Sequence, residues 1–238
     1  ENCTYTLKSG ALNISSNQIL HPARESLTTI KRINFELGPP NFNAQYLQRP
    51  ITLNHGMISR EWFEIADDNL WSDKMDITMS IDTAQQVGSN NDYTVVQFWG
   101  FYNNKFFLMD QWRGRWFFTQ LCQICYALVR NMRPRNVLIE AQAAGFALAD
   151  ELRQIKNIKV VTVNSRVDKV SRLAKVSGVI AAKRVVLPKT KKWINQLINE
   201  VINFPRVKND DQVDAMSQYL EFMRNNQNVF CGPDLVRL

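Results

Sequence analysis

The chain has 238 residues, 45% apolar and 21% charged, so it can hold one good-sized domain and reads as an ordinary soluble globular protein. No apolar run approaches the roughly 20 residues that span a bilayer, and the opening ENCTYTLKSG has neither the basic nor the apolar part of a secretory signal. The net charge of +7 is local: from Arg166 to Asp210 eleven Lys/Arg face three acidic residues, a band that suits a polyanion and equally a solvated face.

Residues 1–70 are weakly patterned. A Ser/Asn-rich start, a predicted helix near Arg24–Leu37, the breaker GPPN at Gly38–Asn41 and FNAQYLQRP at Phe42–Pro50 read as a connecting arm. It begins without Met, as a processed or excised piece does. From Asp76 the character changes, and 71–225 reads as the folded unit. MDITMSID alternates, Ile77, Met79 and Ile81 pointing one way and Thr78, Ser80 and Asp82 the other, which predicts a half-buried strand. The turn VGSNND, the run YTVVQFWGF, the turn at Asn103–Asn104 and the run KFFLMDQW extend it into a three-strand antiparallel meander.

Trp116–Met132 has helical periodicity and stops before Pro134. Its Cys122 and Cys125 share a helix face and read as core packing, because no second CxxC or nearby histidine completes a zinc site. The histidines, His21 and His55, lie outside the patterned region, which leaves histidine-based catalysis little to work with. NVLIE at Asn136–Glu140 is the continuous apolar run of a buried central strand. A helix over about Ala144–Ile155 and the strand Ile158–Val163 follow. Then come a helix near Val167–Ala182, the short strand RVVLP, an amphipathic helix over Lys191–Ile202 and a last helix from about Asp211 to Arg224. Residues 226–238 are expected to form a flexible tail. This order predicts an α/β fold: a mixed sheet, antiparallel meander plus parallel strands, with helices on both faces.

Carboxylates placed against the hydrophobic grain carry the chemistry. Glu140 follows four residues that should be buried, where a carboxylate is costly unless paired or bound to a cation. Asp82 ends the first strand of the meander on its polar side. If the two strands are parallel neighbours, both acids reach the carboxyl edge of the sheet, where open α/β sheets place ligands. The third contribution is KNDDQVDAM, in which Asp211 opens or caps the last helix and Asp214 falls on the same face one turn later. Converging carboxylates repel one another, and hard divalent cations such as Mg²⁺ or Mn²⁺ relieve that through oxygen ligands. Two such ions can hydrolyse a phosphodiester. Taken singly, Asp82 also reads as a turn residue, Asp211 as a helix cap and Glu140 as an exposed strand end.

With these residues placed, the chain resembles the C-terminal nuclease domain of the large terminase subunit of tailed bacteriophages, the motors that cut and package DNA. Four stretches carry the resemblance: SIDTA with NDYTVV, VLIEAQAAGFALADEL, VDKVSRLAKVSGVIAAKRVVLP and NDDQVDAMSQYL. The arm is similar too, through LHPARES, GPPNFNAQYLQRP and GMISREWF, so the likeness spans roughly Leu20–Arg224. It implies an RNase H-like fold and two divalent metal ions, Mg²⁺ or Mn²⁺. The acidic positions fall on Asp82, Glu140 and Asp211, with Asp214 as a further ligand and Asp210 third in that cluster. Gly145 falls at a helix start, and VDKVSRLAKVSGVIAAKRVVLP leads to the family's β-hairpin.

The resemblance further implies double-stranded DNA as substrate, a portal protein and a small terminase subunit as partners, and the cytoplasm of a bacterial host as location. Arg166, Lys169, Arg172, Lys183 and Arg184 are then candidates for phosphate contact, each of which also reads as a plain solvated residue. The chain has no Gly-Lys pair and hence no GxxxxGK[ST] loop, so 1–70 is expected to be the linker from an ATPase domain outside this chain. Two other readings stand beside the packaging nuclease: a Holliday-junction resolvase or integrase of the same fold, and a non-catalytic DNA-binding or docking module.

Overall fold

The alternation in MDITMSID and the apolar run NVLIE become two neighbouring parallel strands, and the rest of the fold is arranged around that pair. The computed structural model describes residues 3–7, 10–14, 24–48, 56–67, 74–84, 93–164 and 168–226. In chain order the elements begin with β1 (Cys3–Leu7), β2 (Gly10–Ile14), α1 (Leu27–Gln45), a 3-10 turn at Arg60–Trp62, and β3 (Glu64–Ala66). The meander is β4 (Asp76–Asp82), β5 (Thr94–Tyr102) and β6 (Lys105–Gly114). Then follow α2 (Phe118–Met132), β7 (Asn136–Glu140), α3 (Ala143–Leu152), β8 (Lys159–Val163), α4 (Lys169–Ala181), β9 (Val185–Pro188), α5 (Ile194–Asn203) and α6 (Asp211–Asn226).

Seven strands make one sheet in the order β3-β9-β6-β5-β4-β7-β8. β4, β5 and β6 pair antiparallel, as the turn-rich connections predict, while β7 runs parallel to both β4 and β8. The first hairpin, β1 with β2, pairs separately. Strand parity sorts the side chains between two cores. Met79, Ile81, Val96, Phe98, Val137 and Ile139 pack under α2 and α3 with Cys122 and Cys125. Those thiols are free and behave as small hydrophobes, and burial pushes Cys125 up to about 12. On the other face Trp99, Phe106, Leu108 and Leu138 pack under α4, α5 and α6. Both faces are covered, which is why Val137, Leu138 and Ile139 can follow one another in β7.

The stretch predicted as an arm is partly docked on the domain. β3 adds to the sheet edge beside β9, and Met57, Ile58 and Phe63 are buried in the α4–α6 core. GPPN does not end α1: the helix kinks at Gly38 (φ 75°) and continues through Pro39 and Pro40 to Gln45. Two prolines at the start of the second segment lose no intrahelical bond there, so they begin a helix as readily as they break one. Of the predicted tail 226–238, Asn226 is the last residue of α6, while 227–238, like His21, His55 and Arg166, lie outside the described residues.

Candidate active site

Parity decides which acids can meet. Ser80 faces α6, where its Oγ donates to the Ala215 carbonyl at 2.8 Å, and Leu138 faces the same core. Two residues further along each strand, Asp82 and Glu140 emerge on that same face. Ile81 is paired with Ile139, so the two carboxylates leave the parallel strands side by side at their carboxyl ends. β7 turns tightly into α3: a Cβ on Gly145 would meet the Glu140 carbonyl oxygen at 2.0 Å, so only glycine allows this approach. The Gln142 amide then reaches back and donates to Glu140 Oε2 at 2.9 Å.

The third side is built by α6, whose start is held from outside. Glu200 of α5 accepts the backbone N–H of Gln212 at 2.8 Å and that of Val213 at 3.3 Å, and its other oxygen accepts the Gln212 side-chain amide. A carboxylate from a neighbouring helix thus satisfies the free N–H groups of a helix start and favours its positive end. Gln212 also bonds Gln111, which bonds Gln97, which accepts the Trp99 indole N–H; the chain of amides ties α6 to β5 and β6. Further along, the Gln218 amide donates to Ser80 Oγ at 3.0 Å and the Ile81 carbonyl at 3.2 Å.

With α6 fixed this way, its acids have different partners. Asp214 meets the Arg172 guanidinium of α4 and the Lys169 ammonium at 2.7 Å. Asp211 is 3.2 Å from Arg113 of β6, which also lies 3.5 Å from Glu200. Asp210 pairs with Lys169 at 2.8 Å. Arg172 Nη1 is 3.6 Å from Glu140 Oε1. Asp82, Glu140 and Asp214 therefore converge, while the Asp211 carboxylate sits beside them and leans on Arg113.

The electrostatics follow from burial. Asp82 is held well above the ordinary carboxylate range, first by burial, then by the charges of Asp214 and Glu140, a hydrogen bond with Glu140, and least by Asp211. Asp214 is raised too, by burial that outweighs the opposing Arg172 and Lys169. Burial works against the charge on Arg172 and Lys169, yet the surrounding acids win and both are raised. Buried, mutually repelling oxygen donors are what a hard divalent cation relieves, so the donor set fits Mg²⁺ or Mn²⁺. Among the described residues no three ligand side chains are already spread around one ion position. In the present arrangement the cations of α4 hold Asp214 and Glu140.

Of the predicted phosphate contacts, Lys169 lies at the site with its side chain half exposed. Arg172 is 2% exposed, an internal partner of acids with no open face for a duplex. Arg184 holds the β5–β6 turn by donating to the Asn104 carbonyl at 2.8 Å and lies over the Phe106 ring. Lys183 is its neighbour, and both sit beside Phe106, whereas the acids lie level with Arg113, about 25 Å further along β6. They belong to the far edge of the sheet. Glu200 was missed in the sequence, where it stands as a charge beside the apolar stripe Ile194, Leu197, Ile198 and Val201 of α5. Arg113 and Arg115 were missed as well; their guanidinium groups lie 4.2 and 4.3 Å from the Tyr93 ring centre. The signal was RGRWF, a basic and aromatic cluster at the end of a strand.

An antiparallel meander that continues into parallel strands, with helices on both faces and acids at the carboxyl ends of β4 and β7, defines an RNase H-like domain. The model of the terminase RNase H-like domain matches residues 79–221, more than half of the chain, and the chain belongs to that family. The large terminase of a thermophilic bacteriophage has the same fold, with TM-score 0.60 at 16% identity, over 84% of this chain and 53% of that one. This chain thus spans about half the length of that phage protein. The large terminase nuclease of thermophilic phage G20c with bound magnesium gives TM-score 0.52 at 13% identity, over 68% of this chain and 93% of that one. The human cytomegalovirus terminase nuclease domain gives 0.51 at 14% identity, over 73% and 97%. No curated protein matches the sequence. No described helix is long and apolar enough to cross a membrane.

Proposed function

We propose that this domain is a divalent-metal-dependent endonuclease that cuts double-stranded DNA for packaging by a phage terminase. The observation that carries the reading is the convergence of Asp82, Glu140 and Asp214 at the carboxyl edge of an RNase H-like sheet. In this reading those three acids would hold the metal, with Asp82 placed between the charges of the other two. Bound there, Mg²⁺ or Mn²⁺ would activate water and neutralise charge on the leaving oxygen of a phosphodiester.

The chain's own residues prepare that site. Gln142 orients Glu140 through its 2.9 Å hydrogen bond, and Glu200 sets the position of Asp214 by anchoring the start of α6. Lys169, at the mouth, offers an ammonium to a DNA phosphate, and the exposed Arg115 beside Tyr93 is a second candidate. The magnesium of the phage G20c nuclease supports the choice of ion. A portal protein, a small terminase subunit and an ATPase domain are the partners proposed for the complete motor, in the cytoplasm of a bacterial host.

Plasmid nicking tests the reading. Supercoiled plasmid should be cut in Mn²⁺ or Mg²⁺, spared in EDTA, and spared by the Asp82→Asn variant. Wild type that leaves plasmid intact in every metal would favour a non-catalytic DNA-binding module. Cleavage of four-way junctions in preference to linear duplex would favour a resolvase.

A further inference from the structure

Helix α4 sends two cations three residues apart toward the acids, and they are placed differently. Lys169 stands at the mouth with half its side chain in solvent, where it pairs with Asp210 and Asp214. Arg172 is among the largest fully buried side chains of the protein, on the same stripe of α4 as the buried Val176 and Val179. One of its nitrogens bonds Asp214 and the other lies 3.6 Å from Glu140. A guanidinium has five donors, no acceptor and no accessible neutral form, so it cannot lose its charge to suit a changed surrounding.

That position conflicts with metal binding. The Arg172 guanidinium draws on the same carboxylate charge that a divalent cation would use, and two cations that close in a buried site repel each other. We propose that Arg172 is an internal counter-ion that competes with divalent metal for Glu140 and Asp214, so that its withdrawal from them is part of metal loading. The inference rests on the metal-centre reading above. It assigns Arg172 a task opposite to that of an ordinary structural arginine: it stabilises the metal-free domain and weakens the affinity for metal.

The two effects have opposite signs, and that makes them measurable. The chain is compared with its Arg172→Met and Arg172→Lys variants by Mn²⁺ titration calorimetry and by thermal melting across a Mn²⁺ series. Arg172→Met should bind Mn²⁺ about tenfold more tightly than wild type, on the scale by which outer partners tune metal sites. Its melting midpoint should be lower than wild type without metal and should rise further with Mn²⁺. Arg172→Lys, which keeps one charge and loses the fork, should fall between the two in both measurements. It carries the test if the methionine variant does not fold without metal. Wild type that binds Mn²⁺, with the folded variants binding no tighter, overturns this proposal and leaves the metal centre standing. Absence of Mn²⁺ binding in all three proteins overturns both.

Discussion

Asp211 and Asp214 are one helical turn apart and meet different cations, Asp211 the Arg113 guanidinium and Asp214 those of Arg172 and Lys169. The sequence favours Asp211, because it opens a helix after a basic stretch and the resemblance falls on it. Packing favours Asp214, which lies against Arg172 and contributes more than Asp211 to the raised pKa of Asp82. Loss of an outer partner of a metal site costs about 10–100-fold, so loss of a ligand costs at least about 100-fold. Asp214→Asn should therefore lower the rate of plasmid nicking by about 100-fold or more, while Asp211→Asn should stay within about 10-fold of wild type. Equal losses in the two variants would return Asp211 to the metal centre. Asp82 carries a second expectation at this scale. Its folded pKa is raised above 3.8, mainly by burial and then by Asp214, so the folded state holds a proton that the unfolded chain has released. The stability this contributes is present below pH 3.8 and is lost as pH rises through the folded value. The melting midpoint of the metal-free domain should decline over that window, and Asp82→Asn should flatten the decline. A slope unchanged by the substitution would place the titration elsewhere in the acidic cluster.

At the scale of elements, pattern and structure agree wherever one periodicity dominates. β4 and β7 each form within a residue of the expected span, but β4 is not half-buried as its alternation predicts: α6 covers Thr78 and Ser80 as fully as the other helices cover Met79 and Ile81. α2 ends at Met132 because Arg133 turns left-handed (φ 48°) ahead of Pro134. What was not legible depends on contacts distant in sequence. β3 is three residues long and exists only because β9 lies beside it. α1 continues past GPPN because its kink is seated on α4. At Gly38 an added Cβ would meet Ser177 Oγ at 2.2 Å and the Ala174 carbonyl at 2.4 Å, and the residue has φ 75°. Gly38→Ala therefore meets both a clash and a left-handed backbone. It should cost at least about 2 kcal/mol of stability, read as a lowered urea midpoint. An unchanged midpoint would mean that α1 contributes nothing to the stability of the domain.

The whole molecule divides its charge between the two edges of the sheet, a division that a count of lysines and arginines cannot show. The carboxyl edge holds Asp82, Glu140 and the start of α6, with Lys169, Arg113 and Arg115 nearby. The opposite edge holds the β5–β6 turn with Lys183 and Arg184, where burial lowers the Arg184 guanidinium to about 10. The basic band from Arg166 to Asp210 reads as one footprint in sequence, but α4 carries the chain from Lys169 at the acids to Lys183 and Arg184 at the other edge, and the chain returns to the acids only at Asp210, which pairs with Lys169. Arg172 reads in sequence as a phosphate contact or a solvated residue, and the structure instead buries it ahead of Val176 and Val179 on the inner stripe of α4, because its partners are acids distant in sequence. If DNA lies along the carboxyl edge, Lys183→Ala combined with Arg184→Ala should change duplex affinity by less than about twofold, whatever it does to stability. Lys169→Ala should weaken binding across sequences and lower the slope of log affinity against log salt by about one. Fluorescence anisotropy with a duplex oligonucleotide, in EDTA to prevent cutting and over a salt series, measures both. A large loss in the double variant with an unchanged salt slope for Lys169→Ala would move the DNA path to the other edge, about 25 Å from the acids, where no cut at Asp82 could follow.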